Sequence, residues 1–267
     1  MSEPSLLEMA KKGQPLNCPV VDMHGHVGPW RNFYTPDLSP ASMLKVMDSA
    51  GIGYSVLFSN AGMGSDHVLG NQVVKEFAAH SPKRFIPFVL PSARYPEETQ
   101  QELEHYASEL SWKGIKIHPD GNGYPADGAN YKPVFRFAAD HGLPIISHTW
   151  DSPLSGVAIY DKIAAEYPSV PICCAHCFEP DFAGAVRLAQ RHPNIYLELT
   201  DASIHNGVLE YFVKELGGEK LLFGSDALGW FSALHALGSL LYANINDDEK
   251  RKILGGTALK VLRMQYV

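Results

Sequence analysis

The sequence predicts an α/β protein built as a single-domain (β/α)8 TIM barrel, and three observations carry that expectation. The chain has 267 residues, close to the roughly 250 typical of such barrels. Short runs rich in β-branched and aromatic residues alternate eight times with helical patterns, which calls for parallel strands joined by crossover helices. No Gly-x-Gly-x-x-Gly follows the first run, and no linker or low-complexity tract divides the chain, so an open dinucleotide-binding sheet and a second domain are both disfavoured. Residues 1–267 are therefore expected to form one domain.

The predicted strands are Val20–Met23, Tyr54–Phe58, Phe85–Leu90, Gly114–His118, Pro144–His148, Pro171–His176, Ile195–Leu199 and Leu221–Asp226. Between them, helical spacing covers about Ala41–Ser49, Val68–His80, Pro96–Leu110, Tyr131–His141, Gly156–Glu166, Phe182–Arg191 and Val208–Leu216. A last helical region covers Ala233–Tyr242 and Asp247–Arg263. Gly51, Gly142 and the Gly217-Gly218 pair follow three of these helices, where a left-handed cap is expected.

Hydrophobic residues make up 45% and charged residues 19%, enough apolar material for a large core. The formal charge is -7, and no Lys/Arg-rich block is present, so neither nucleic acid nor an anionic membrane is an expected partner. Met1 to Asn17 is polar and lacks the apolar stretch of a signal peptide, and no apolar run approaches the ~18 residues of a membrane span. Three of the four cysteines crowd together as Cys173, Cys174 and Cys177, which is no disulfide framework in a chain this long. Buried reduced thiols and a cytoplasmic location are the expectation. Cys174-x-x-Cys177 is not read as a zinc knuckle, because the two side chains would leave a continuing strand on opposite faces.

In such a barrel, chemistry gathers at the C-terminal ends of the strands. The first strand ends Val-Asp-Met-His-Gly-His. Strict alternation puts Asp22, His24 and His26 on one face, and Gly25 leaves space on the other. The fifth, sixth and eighth strands finish in His148, His176 and Asp226 after otherwise apolar runs. Each alone is a polar cap at a strand end; together they form an imidazole–carboxylate set of the kind that zinc, manganese and iron accept.

Six segments in order along the chain, Asp22-Met-His-Gly-His26, Gly114-Ile-Lys-Ile-His-Pro119, Ser147-His-Thr149, Ala175-His176, Leu222-Phe-Gly-Ser-Asp226 and Gly255-Gly-Thr-Ala258, resemble the amidohydrolase superfamily. The likeness is to its branch of TIM-barrel metal-dependent hydrolases, which also holds carboxymuconate-semialdehyde-type decarboxylases. The resemblance implies metal ligands at His24, His26, His148 and Asp226, a catalytic histidine at His176, and one divalent metal, foremost zinc, with manganese or iron as alternatives. A divalent ion lowers the pKa of bound water from 15.7 to about 7; Asp226 would take that water's proton and His176 would polarise a carbonyl.

Alternation also points Gly114, Lys116 and His118 into the barrel and Ile115 and Ile117 toward the helices. A buried lysine is costly unless paired or modified. Lys116 is therefore a substrate-facing cation together with His118, or a partner of an internal acid such as Asp22 or Glu198. The superfamily's binuclear members suggest a third role, a carboxylated lysine bridging a second metal. Arg31 and Arg94, on loops after the first and third strands, are candidate clamps for a substrate carboxylate. Trp150 and Trp230 are candidate pocket walls, Asp201 either supports the site or caps a helix, and His67 and His205 are minor candidates.

The expected activity is hydrolysis of an amide, ester or lactone bond of a small molecule by metal-activated water. The alternatives are metal-dependent, non-oxidative decarboxylation of an aromatic or unsaturated acid, and a catalytically inactive binding barrel. The partner is a small molecule, carrying a carboxylate in the clamp reading, with self-association open.

Overall fold

The computed structural model describes residues 4–30, 34–35, 37–64, 66–107, 109, 112–227 and 232–266. Arg31 and Trp230 lie outside the described residues. Eight parallel strands follow one another in chain order: β1 Val21–Val27, β2 Tyr54–Ser59, β3 Phe85–Val89, β4 Gly114–Ile117, β5 Ile145–His148, β6 Ile172–Ala175, β7 Ile195–Glu198 and β8 Leu221–Leu222. The circle closes where Met23 N donates to Phe223 O (2.9 Å), His26 N donates to Ala227 O (3.2 Å) and Gly25 bridges Ala227.

Alternation sorts the side chains into two layers. Ile115, Ile117, Ile145, Ile172, Cys174, Ile195, Leu197 and Leu221 pack outward against the helices. Val21, Met23, Val56, Phe58, Ile86, Phe88, Ile146, Cys173, Ala175 and Leu222 fill the interior. That interior is the packed core expected of a barrel of this size. Gly114 belongs to it: a Cβ there would lie 2.2 Å from the Phe88 ring, so only glycine lets that ring cross the barrel.

The sequence-predicted elements match closely, with informative differences. Helices Pro40–Ala50 and Lys132–His141 end on Gly51 and Gly142 in the left-handed conformation, as expected. Gly217 has φ 73° but ψ 161°, so the third helix, Val208–Leu216, ends in an extended glycine and not in a left-handed cap. The predicted Asp247–Arg263 helix divides into Asp247–Arg251, a π-helical turn Lys252–Gly256, and Thr257–Val261. Here Ile253 O accepts from Phe223 N at 3.1 Å, and a Cβ on Gly255 would sit 2.4 Å from Pro19 O. Helix Pro96–Ala107 is shorter than predicted; Leu110 lies outside the described residues. Short helices Leu6–Lys11, Asn60–Gly64 and Pro119–Asn122 were not foreseen.

β1 departs from strict alternation. Asp22 pairs with Ser55 but Gly25 pairs with Leu57, an extra residue in the register. A bulge shifts side-chain parity, so Met23 enters the interior core while His24 and His26 still sit together beyond it. Gly25 presses on β2: a Cβ would meet Ser55 Oγ at 2.7 Å and Val56 O at 2.8 Å. The strand-based reading of the cysteines also changes. β6 ends at Ala175, and Cys177 follows in a left-handed turn (φ 53°) that returns it to the helix-facing layer beside Cys174. All four cysteines are free, and burial pushes the thiols of Cys173, Cys174 and Cys177 up.

No helix among the described residues is long and apolar enough to cross a membrane.

Candidate metal centre

The strand ends assemble as the barrel predicts. From β1, His24 and His26 are almost fully buried, with ring centroids 5.1 Å apart. Across the closure, Asp226 follows β8 with φ 58°. Its Oδ1 lies 2.7 Å from His26 Nε2 and 3.5 Å from His24 Nε2. Despite the short distance, this buried oxygen finds no hydrogen-bond partner among the described residues. Among the described residues, His24, His26 and Asp226 form the group whose ligand atoms lie within 4.8 Å of one another.

Their protonation suits metal binding. Burial pushes His24 well down and Lys116 adds to it; burial also lowers His26. Neutral imidazoles keep a lone pair for a cation. Burial pushes the Asp226 carboxyl up, but His26, His176 and Lys116 outweigh that and hold it below the usual carboxylate range. An ionised carboxylate with a buried, unclaimed oxygen, beside two neutral imidazoles, is a donor set that divalent cations accept.

Outer contacts fix this set. His24 Nδ1 lies 2.7 Å from Glu198 Oε2, which places the ring proton on Nδ1 and leaves Nε2 unprotonated, as carboxylate–histidine–metal arrangements do. Glu198 Oε1 accepts from Thr200 N (2.9 Å) and Thr200 Oγ1 (2.6 Å). Asp22 is taken up by other donors: Oδ1 accepts from His24 N and Ser225 N at 3.0 Å, and Oδ2 accepts from Ser225 Oγ at 2.5 Å. It thus ties β1 to the chain just before Asp226.

Lys116 points into the barrel from β4. Its Nζ stands 3.4 Å from His24 Nε2 and 4.3 Å from the centre of the Phe58 ring. Burial pulls its ammonium down, while Glu198 and Asp226 oppose that shift. Burial pushes Glu198 up in return. Lys116 therefore lies in the field of two internal acids, Glu198 and Asp226, and Asp22 is not one of them.

The remaining histidines form a wall. His118 and His148 stack with centroids 4.0 Å apart and 11° between planes; Trp150 stacks on the other side of His148 at 5.5 Å and 13°. His148 meets His176 edge-on at 4.6 Å and lies outside the three-residue ligand group. His176 meets the His24 ring at 5.2 Å, and its Nδ1 lies 3.0 Å from Asp201 Oδ2. Asp201 makes no side-chain cap bond to its helical turn; its carboxylate faces His176 instead. His118 Nδ1 accepts from Gly121 N at 2.9 Å, which puts that ring's proton on Nε2.

Arg94 does not reach toward the cluster: Nε donates to Asn122 O at 2.8 Å and Nη2 to Gly121 O at 2.9 Å. His67 stacks on Tyr95, and His205 pairs with Glu179 at 2.9 Å, both away from the ligand group. The sequence weighed Glu198 only as a partner for Lys116. Its bond to His24 spans 174 positions; the signal was a single acid closing an apolar strand.

A family model described as amidohydrolase matches residues 21–264. Among curated proteins no relative matches. Solved structures do. The chain is similar to 5-carboxyvanillate decarboxylase from Sphingomonas paucimobilis, with 17% identity, TM-score 0.71, and 93% of this chain and 100% of that one covered. It is similar to 5-carboxyvanillate decarboxylase from Novosphingobium aromaticivorans, complexed with manganese and 4-hydroxy-3-methoxy-5-nitrobenzoic acid (15%, TM-score 0.73, 93% and 97% covered). It is also similar to 2,6-dihydroxybenzoate decarboxylase from Rhizobium (16%, TM-score 0.71, 92% and 99% covered). These likenesses correct the expectation of hydrolysis: the enzymes named are decarboxylases of aromatic acids, the alternative already visible in the sequence.

Proposed function

The chain belongs to the amidohydrolase family, and from that premise we propose that it is a metal-dependent, non-oxidative decarboxylase of hydroxylated aromatic carboxylic acids. One observation carries the proposal beyond the fold. The stacked rings of His118, His148 and Trp150 run from the interior to the surface beside the His24–His26–Asp226 group. A flat aryl ring needs such a π surface, and its carboxylate needs the cationic groups next to it.

His24, His26 and Asp226 would hold one divalent cation, manganese or zinc, with His148 as a fourth donor. When bound, the cation supplies an electrophile that fixes the substrate's oxygen atoms and spreads their charge. Lys116 binds the carboxylate as a point charge. His118, with its proton on Nε2, donates a hydrogen bond to a ring substituent. His176, oriented by Asp201, donates to a ring oxygen and stabilises the charge that the ring gains as carbon dioxide leaves.

The ring–carboxylate bond breaks and its electron pair passes to the ring carbon. Ionised Asp226 takes the proton of the substrate's ring hydroxyl and passes it to that carbon, carbon dioxide leaves, and solvent returns a proton to the ring oxygen. Surrounding positive charge makes the protonated Asp226 a strong acid in this site, which suits donation to carbon. The three buried thiols support a reducing, cytoplasmic setting.

The test is direct. Protein loaded with Mn2+ or Zn2+ is incubated with 2,6-dihydroxybenzoate, 5-carboxyvanillate and related hydroxybenzoates, and carbon dioxide and the ring-protonated product are measured. Stoichiometric release of both is expected with one of these acids. No release from the whole set by protein that holds its metal would sink the proposal.

A further inference from the structure

His148 lacks the device that fixes His24. Among the described residues no side-chain hydrogen bond holds its ring; its plane is set by the sandwich between His118 and Trp150. The two outer layers come from different loops, one after β4 and one after β5, so something must keep those loops in step.

One carboxylate bridges them through side chains, beside the backbone bond from Ala126 N to Leu154 O (2.9 Å). Asp120 lies in the turn Pro119–Asn122, whose N-terminal cap is His118 itself. Its Oδ1 accepts from Ser152 Oγ at 2.7 Å and its Oδ2 from Ser155 Oγ at 2.5 Å. Ser155, fully buried, accepts in turn from Trp150 N at 3.1 Å. Ser152 Oγ accepts from Leu154 N and Ser155 N at 3.1 Å, closing the loop on itself. The turn is gripped on its far side by Arg94, through the carbonyls of Gly121 and Asn122.

We propose that Asp120 is a positioning residue: by tying the β5 loop to the β4 turn, it holds Trp150 and His118 in register and so fixes the ring plane of His148. This deepens the assignment of His148 to the metal and substrate site and rests on it. The clasp itself is readable without metal or substrate.

The experiment compares iodide quenching of tryptophan fluorescence in metal-free wild type and Asp120→Ala, each also in a Trp150→Phe background. Freeing Trp150 from a packed stack is expected to raise the quenching constant about twofold, with no change when Trp150 is absent. Mn2+ affinity is expected to fall about tenfold, the size seen when ligand-orienting contacts are lost. In turnover, KM for the aromatic acid rises more than kcat falls, because the wall binds the ring. Asp120→Asn, which keeps shape and one acceptor, recovers most of the wild-type quenching and affinity.

Unchanged quenching and Mn2+ affinity in Asp120→Ala overturns the proposal, and so does a quenching change that persists in the Trp150→Phe background. Should Asp120→Ala not fold, Ser155→Ala removes one hydroxyl and carries the same readings. Absence of decarboxylation in wild type would remove the functional assignment while leaving the quenching difference standing.

Discussion

Glu198→Gln exchanges a carboxylate for an amide of the same shape at the atom that orients His24. Glu198 Oε1 is bound by two donors of Thr200, one of them a backbone N–H that can only donate. The new amide oxygen is therefore held on Thr200, and its NH2 group faces His24 Nδ1, where Oε2 stood at 2.7 Å. Two donors now oppose each other. His24 relieves this by moving its proton to Nε2, the nitrogen 3.5 Å from Asp226 Oδ1, and that nitrogen then has no lone pair for a cation.

Restoring the binding tautomer against the amide costs about 1.5–3 kcal/mol, the size of a hydrogen bond to a charged group. Lost outer-shell partners typically weaken metal sites 10–100-fold, which is about 1.4–2.8 kcal/mol at 1.4 kcal/mol per tenfold. The two routes agree. The assay is calorimetric titration of metal-free wild type and Glu198→Gln with Mn2+ and with Zn2+, alongside the melting temperature without metal. A 10–100-fold rise in Kd with little change in metal-free melting is expected. Equal Kd for both ions would refute the reasoning that Glu198 sets the tautomer of His24.

Asp226→Asn removes both the charge of the ligand group and the proposed proton donor; decarboxylation is expected to fall by about 10²–10⁴-fold, measured as carbon dioxide release, with far-ultraviolet circular dichroism unchanged. Asp201→Asn leaves His176 in place but weakens its orienting contact, so a loss of kcat about tenfold, smaller than that of His176→Ala, is expected in steady-state kinetics. Gly25→Ala places a methyl against Ser55 Oγ and Val56 O, an overpacking that costs about 1–3 kcal/mol, read as a lower midpoint of urea unfolding together with weaker Mn2+ binding. Asp22→Ala strands three buried donors. At about 3 kcal/mol and 2–4 °C per kcal/mol for a chain of this size, the melting temperature is expected to drop by about 6–12 °C, checked by calorimetry.

The barrel was legible because each strand is short, apolar and closed by a helix signal within a few residues. His24, His26 and Asp226 were legible because period-two alternation and strand ends are local properties. What failed was local in another sense. The bulge in β1 adds a residue that no composition announces, and it separates Met23 from the parity the sequence implied. Likewise, Cys177 changes layers because β6 stops at Ala175. Partnerships across the barrel were harder still. Glu198 with His24, Asp201 with His176 and Asp120 with Ser155 join residues 174, 25 and 35 positions apart. Arg94 looked like a clamp for substrate because its fork suits carboxylates, yet the same fork suits two neighbouring carbonyls.

The left-handed residues at the catalytic rim carry a consequence for how this protein can change over time. His176, Cys177, Phe178, Asp201 and Asp226 all have positive φ without being glycine, at a cost of about 1–2 kcal/mol each. Cys177 and Phe178 are the two whose side chains enter none of the proposed chemistry. Both are fully buried in the core, so glycine at either would relax the backbone but empty a packed site, and for Phe178 the loss of about 3–5 kcal/mol exceeds the strain relieved. A population selected only for heat resistance should therefore keep both side chains, and the strained turn with them. At this turn, durability and the aim of His176 thus depend on the same two buried side chains.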